Sequence, residues 1–401
     1  MSKETDIGTG ARIAALRRTH HLSQRALADR AHVSASLLTK VESGAKPASP
    51  AFIAACARAL GVDAPALTGQ PYLGAMERDQ LHDLAEPIEA ALDLYDLPPD
   101  ESVRPRPLPA LRAAVREANR KAQAAQYRVV ASGLPALLAE LHAAAHLCTG
   151  SEQVEAWGLL AEGYRLGHSF GISQGMTGLS AQALARMDWA AQRAGDREPG
   201  LRAAREYLRI TAYLRNGDYA ACRRLNDKGV RHLGGSDAVT PGALVARGQL
   251  HLGASVIAAR TGDRDAMQAH LDEAERLAKA IGEGSWETFW FGFGPTNVQV
   301  HRVMTQVEAG EYGKAVEAAE GLRFPTGWLP SRIGHHHIDM ARAYQWMNRP
   351  AESLEELRKA QRVAPQQARY HPSVRETVSA LVRAEPRRTD TLSSFAAWVG
   401  V

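Results

Sequence analysis

Apolar residues recur three and four positions apart along nearly the whole chain, and strict alternation of apolar and polar residues is almost absent. That periodicity predicts helices throughout and an all-α fold. The first 70 residues divide into five short helices. Ile13 and Leu16 mark the inward edge of one over residues 10 to 20. Ser23 caps a second that runs to Ala31, with Leu27 and Ala28 buried. Ser34 caps a third, whose inward positions are Leu37, Leu38 and Val41 and whose stop is Gly44. Ser49-Pro50 opens a fourth, striped by Phe52, Ile53, Cys56, Ala59 and Leu60 and ended by Gly61. Val62, Ala64 and Leu67 fold back as a short fifth.

The texture changes at residue 71. Residues 71–110 carry Pro71, Pro87, Pro98, Pro99, Pro105, Pro107 and Pro109. They read as a linker holding one helix within residues 76–94. Residues 111–401 return to helix after helix, separated by a recurring mark. It stands as Thr149-Gly150-Ser151, Ala194-Gly195-Asp196, Asn216-Gly217-Asp218, Thr261-Gly262-Asp263, Ala309-Gly310-Glu311 and Met347-Asn348-Arg349. The Gly or Asn suits a left-handed helix end, and an acidic residue suits the positive start of the next helix. Within the matched series the marks lie 39 to 48 residues apart, room for two helices and two turns. The expectation is an α-solenoid of helical hairpins with a concave inner wall, capped by a last helix over 392–399.

The three-residue connection Ala31-His32-Val33 is too short for an antiparallel pair and suits two helices that cross steeply. The second of these then keeps one solvated face: Ala35, Ser36, Thr39, Lys40 and Ser43, fitted in size and polarity to base edges and phosphates. The string Leu22-Ser23-Gln24, Leu27-Ala28, Val33-Ser34, Leu38, Val41-Glu42, Gly44 and Lys46 resembles the Cro/cI repressor-type helix-turn-helix of the Xre family, over about residues 10–68. The resemblance implies a five-helix DNA-binding domain over 1–70. It also implies phosphate contacts from Gln24 and Ser34, base contacts from Ala35, Ser36, Thr39 and Lys40, and a bracing role for Glu42. His32 departs from the family's usual glycine, at a place where His tolerates a left-handed backbone better than most residues.

Charge supports this assignment. Residues 1–70 hold nine Lys/Arg against five Asp/Glu, and the remainder holds 39 of each. Arg12, Arg17, Arg18, Arg25, Arg30, Lys40, Lys46 and Arg58 are the candidates for phosphate contact, about half of them expected to be ordinary solvated surface. Double-stranded DNA is the expected partner, read by a homodimer.

The hairpins of 111–401 resemble tetratricopeptide (TPR) repeats, with longer periods. Together with the first domain they resemble two groups of bacterial regulators, the peptide-responsive RRNPP type and an Ala/Arg-rich set from high-GC bacteria. Phe293-Gly294-Pro295-Thr296-Asn297-Val298 with His301, then HHIDMARAY and Ala364-Pro365, carry the second likeness. The implied partner is a peptide or protein effector. Residues 286–293, WETFWFGF, are the densest aromatic stretch. Trp286 and Trp290 with Asn297 and His301 make either an effector pocket or a core plug where the solenoid bends. His335-His336-His337 cannot converge on one ion, because consecutive helical residues point about 100° apart, so no metal or other cofactor is expected.

No glycine-rich phosphate loop, nucleophile elbow or paired carboxylates in a known frame occurs, so no enzyme activity is expected. The three cysteines, Cys56, Cys148 and Cys222, are far apart and read as packed thiols in a reducing cytoplasm. No apolar run is read as long enough to span a membrane, and the first ten residues lack a signal-peptide core. The expectation is a cytoplasmic DNA-binding transcriptional regulator; the rival is a helical scaffold for a protein partner, with DNA binding secondary.

Overall fold

The computed structural model describes residues 8–72, 81–195, 199–234, 240–283, 287–384 and 389–401. Among them every element is helical. Five helices make the N-terminal unit: α1 (Thr9–Thr19), α2 (Gln24–Ala31), α3 (Ala35–Glu42), α4 (Pro50–Leu60) and α5 (Ala64–Thr68). The serine caps form as the spacing predicts. The Oγ atoms of Ser23, Ser34 and Ser49 accept from the backbone N–H groups of Ala26, Leu37 and Phe52, each cap contributing roughly 1 kcal/mol. Ile13, Leu27, Leu38, Val41, Phe52, Ile53, Cys56 and Leu67 close one small core.

The expected linker is in part body. Between two short 3₁₀ turns lies α6 (Ala85–Asp93). Leu81, Ala85, Ile88 and Leu92 stand on one helical face and are buried in the main core together with Tyr72. The proline count concealed that stripe; the prolines themselves fall mostly at 98–109, where the chain is extended up to Leu108. The part of the expected helix over 76–80 lies outside the described residues.

Two long helices follow, α7 (Leu108–Gln123) and α8 (Tyr127–Leu147). Five hairpins come next: α9 (Gly150–Gln174) with α10 (Thr177–Arg193), α11 (Pro199–Asn216) with α12 (Tyr219–His232), and α13 (Pro241–Thr261) with α14 (Arg264–Ile281), then α15 (Pro295–Glu308) with α16 (Tyr312–Glu320) and α17 (Pro330–Trp346) with α18 (Pro350–Val363). Short helices α19 (Pro365–Tyr370), α20 (Pro372–Ala384) and α21 (Asp390–Val399) end the chain. The fold is thus all-α and solenoid-like. Its recurring marks all take left-handed backbone, at φ 69° for Gly217, 80° for Gly262, 75° for Gly310 and 58° for Asn348. These four sit inside hairpins. Gly195 takes the same conformation but separates one packed pair from the next, whereas Gly150 joins α8 and α9, which pack closely, and Gly175 makes the first hairpin's turn. The sequence series therefore mixes two phases, since a left-handed residue ends a helix whatever the next helix packs against.

The α11, α13, α15 and α17 helices stack in a row, and the row closes on itself because α17 meets α7 and α19 meets α9. Ser331 Oγ donates to Gln123 Oε1 at 2.9 Å, the Arg128 N–H donates to Gln366 Oε1 at 3.2 Å, and Arg116 and Arg120 pair with Glu287. Glu308 ties three helices of the row together. It meets Arg260 of α13 at 2.7 Å and Arg342 of α17 at 2.9 Å, and Arg342 also meets Asp339 at 3.0 Å.

Two expectations need correction. The α8 helix has 21 residues and is apolar enough to cross a membrane by length and composition, although no such run was read in the sequence. Half of its most apolar stretch is buried, with Val130, Leu134, Leu138 and Leu141 in the main core, which accounts for its composition. Cys148 is half-exposed, whereas Cys56 and Cys222 are buried thiols that burial pushes up to about 12.

The N-terminal unit is docked against the body. Arg58 Nη1 donates to the Gly217 carbonyl at 2.6 Å and the Ala64 N–H donates to Asn216 Oδ1 at 3.3 Å. Gln70 Nε2 donates to the Tyr370 carbonyl, and the Ala48 N–H donates to the half-buried carboxylate of Glu376 at 3.2 Å.

Burial alone would raise the Glu308 pKa, but two guanidinium charges and their hydrogen bonds hold it at about 2. A carboxylate whose folded pKa is depressed stabilises above its unfolded pKa, and that contribution is lost as pH falls toward the folded value. Glu308→Gln should therefore cost about 3–5 kcal/mol, read by urea unfolding at neutral pH. The gap between variant and wild type should narrow as pH falls from the unfolded carboxylate range toward about 2.

Candidate nucleic-acid interface

The turn between α2 and α3 is set by one residue. His32 adopts φ 53° and ψ 44°, the left-handed region, and the Val33 N–H returns to the Ala28 carbonyl at 3.0 Å. Leu38 and Val41 anchor α3 in the small core, while Leu37 is half-buried. Ser34, Ala35, Ser36, Thr39, Lys40 and Ser43 are exposed on its outer side, as is Arg25 of α2.

A polar brace holds that geometry. Arg17 of α1 grips Glu42 of α3 with two hydrogen bonds, at 2.7 and 2.9 Å, and donates a third to the Leu22 carbonyl at 2.8 Å. Gln24 of α2 donates to Glu42 at 2.8 Å, and its amide oxygen accepts from Thr39 Oγ1 at 3.0 Å. Three helices meet in this network. Burial pushes the Glu42 pKa up, but the Arg17 and Gln24 hydrogen bonds and the Arg17 charge outweigh it and hold the group below its ordinary value.

The structure sorts the candidate phosphate cations. Arg17 belongs to the brace and is withdrawn from that list. Arg12 donates to the Thr68 carbonyl at 3.3 Å, and Arg58 is held by Gly217 of the body. Lys46 is half-buried with its ammonium 5.0 Å from the Trp346 ring centroid, so it faces the body. Arg18, Arg25, Arg30 and Lys40 are exposed. Gln24 and Thr39, read as DNA contacts, each spend polar atoms on bracing; Ser34 spends its Oγ on the α3 cap, and Ser43 Oγ donates to the Lys40 carbonyl at 3.1 Å.

Residues 10–70 match the family model of a helix-turn-helix domain. No curated protein and no solved structure matches the chain. The N-terminal unit is therefore a helix-turn-helix domain of the DNA-binding kind, with α3 in the place of the helix that enters the groove.

The residues read as an effector pocket are placed in the body. Trp290 is buried and its indole N–H donates to Glu162 of α9 at 3.0 Å; Phe291 and Phe293 are buried beside it. Trp286 lies outside the described residues. Asn297 and His301 share one face of α15. Asn297 is 0% exposed, and among the described residues neither its amide nitrogen nor its amide oxygen has a hydrogen-bond partner. His301 hydrogen-bonds through Nδ1 to the Asn297 carbonyl at 2.9 Å, and burial, then the Arg332 charge, pushes its pKa down to about 3. The three consecutive histidines diverge. His337 meets Glu356 at 2.6 Å, His336 packs on Phe324, and His335 faces Asp339 and His371. No group of three metal-ligating side chains gathers among the described residues.

The helix-turn-helix domain makes two predictions. Glu42→Ala leaves Arg17 without its partner in a partly dry site and should destabilise the domain by about 3 kcal/mol. His32→Gly removes the left-handed penalty of a side chain and should raise stability by about 1 kcal/mol. Chemical denaturation of the full chain, followed by circular dichroism, reads both.

Proposed function

We propose that the protein is a sequence-specific DNA-binding transcriptional regulator of the Xre type, acting in the cytoplasm without catalysis. The observation that carries this reading is the outer face of α3, exposed and cationic at Lys40, on a helix-turn-helix domain. Ser36 and Lys40 are the side chains best placed to meet base edges, and Arg25 and the N-terminal end of α3 to meet phosphates.

Short side chains dominate that face. One domain then binds weakly and discriminates modestly, so two domains on a homodimer read half-sites about one helical turn apart. The TPR-like body supplies the pairing and holds an effector. An effector that prefers one placement of the domains by about 1–3 kcal/mol changes DNA affinity roughly 5- to 150-fold.

The test is a mobility-shift titration on genomic fragments at two salt concentrations. Wild type should select discrete sites. Arg25→Ala should weaken binding across sequences and flatten the salt dependence by about one unit of slope, while Lys40→Ala and Ser36→Ala should each relax selectivity. Selection that survives the Lys40 and Ser36 substitutions unchanged refutes the assigned face. Binding that is unspecific, or absent until a partner protein is added, supports the scaffold reading instead.

A further inference from the structure

The loop that leaves α3 is shared with the body. Three body side chains meet residues 44–48. The ring of Trp346, at the end of α17, lies 5.0 Å from the Lys46 ammonium. Glu376 of α20 accepts from the Ala48 N–H at 3.2 Å. Arg383, two turns further along α20, lies against Gly44. Gly44 makes that last contact possible. It takes φ 76°, and a Cβ there would stand 3.1 Å from Arg383 Nε, 3.2 Å from Cζ and 3.3 Å from Cδ. The arginine therefore lies along bare backbone at the point where α3 ends.

Arg383 is exposed in the last turn of α20. Among the described residues it has no carboxylate partner; Glu376, on the same side of α20, is turned to Ala48. Its guanidinium presents a fork of N–H donors matched to two oxygens of one phosphate.

The position of this cation follows from the reading face. Ser36, Lys40 and Ser43 are exposed and stand four and three positions apart, so they run in one line down α3. Gly44, and with it Arg383, lies at the end of that line. The eight residues of α3 span about 12 Å, and the major groove is about 12 Å wide. A helix whose N-terminal residues meet base edges then brings its last turn to the sugar-phosphate wall.

We propose that Arg383 is a DNA phosphate contact supplied by the body, so that α3 and α20 form one composite DNA-binding surface. The inference rests on the reading of α3 as the helix that enters the groove, and it adds a contact from outside the helix-turn-helix domain. The hydrogen bonds at Gly217, Asn216, Tyr370 and Glu376 that hold the domain also hold Arg383 at the end of α3. A body that releases the domain withdraws this contact, and DNA affinity falls with it. A competing role is local: a cation beside the last carbonyls of α3, itself in the last turn of α20, complements two helix dipoles. That role would place the effect of Arg383 on stability and not on DNA.

The experiment uses the full chain and a fluorescein-labelled duplex of about 30 base pairs, roughly three helical turns. Its sequence is arbitrary, because phosphate contact does not depend on sequence. Fluorescence anisotropy gives affinity from about 50 to about 200 mM sodium chloride. Arg383→Gln should bind more weakly, with a salt slope about one unit shallower. Wild type should thus lose roughly three- to fourfold more of its affinity than the variant over that range. Arg383→Lys should keep the slope. Arg383→Gln should select the same genomic fragments as wild type and unfold at the same Tm. Arg193→Gln removes an exposed cation whose helix leads into the opposite end of α11 from the docked domain, and should leave the slope unchanged.

An unchanged slope in Arg383→Gln overturns the proposal; a lowered Tm alongside it assigns Arg383 to the helix ends alone. An equal loss of slope in Arg193→Gln also overturns it, since the effect would then be one of net charge. Wild type that binds no duplex at about 50 mM salt refutes the regulator reading and this inference with it. Wild type that binds, with a slope the Arg383→Gln variant shares, refutes this inference alone.

Discussion

Glu308 can be buried only because two guanidinium groups meet it there. Arg260 arrives from α13 and Arg342 from α17, so one carboxylate fixes the spacing of three stacked helices. An ion lacking such partners in this setting would be neutralised or expelled.

The small domain obeys the same rule at another scale. Arg17, Glu42 and Gln24 join α1, α2 and α3 through one partly dry network. Its apolar core holds the helices together, but apolar contacts are non-directional. The hydrogen-bonded brace fixes the angle at which α3 projects, and Thr39 ties the reading face itself to that brace. Recognition therefore depends on an interaction that faces inward.

What was legible in the sequence follows from range. The caps at Ser23, Ser34 and Ser49 were readable because a cap is decided within three residues. The left-handed ends at Gly217, Gly262, Gly310 and Asn348 were readable for the same reason, yet the pairing of helices around Gly150 and Gly195 was not, since it is decided by packing. Arg17 read as a phosphate contact because nothing local reveals a partner 25 positions away. The helix within residues 76–94 was readable, but its burial in the main core was not, because the partners that cover it lie far along the chain. For the site, the exposed face of α3 could be read from period and caps. The bracing of Gln24 and Thr39, and the turn of Lys46 toward Trp346 of the body, could not.

Docking makes the reading face part of the body's conformation. The domain is held at Asn216–Gly217 on one side and at Tyr370 and Glu376 on another. Each anchor is a handful of neutral or partly buried hydrogen bonds, individually worth about 0.5–1.5 kcal/mol. That is strong enough to hold one placement and weak enough for a ligand's binding energy to replace it. A free tether could not have influenced the domain; the packing of α4 on α11, flanked by hydrogen bonds at both sides, sets the direction in which α3 projects.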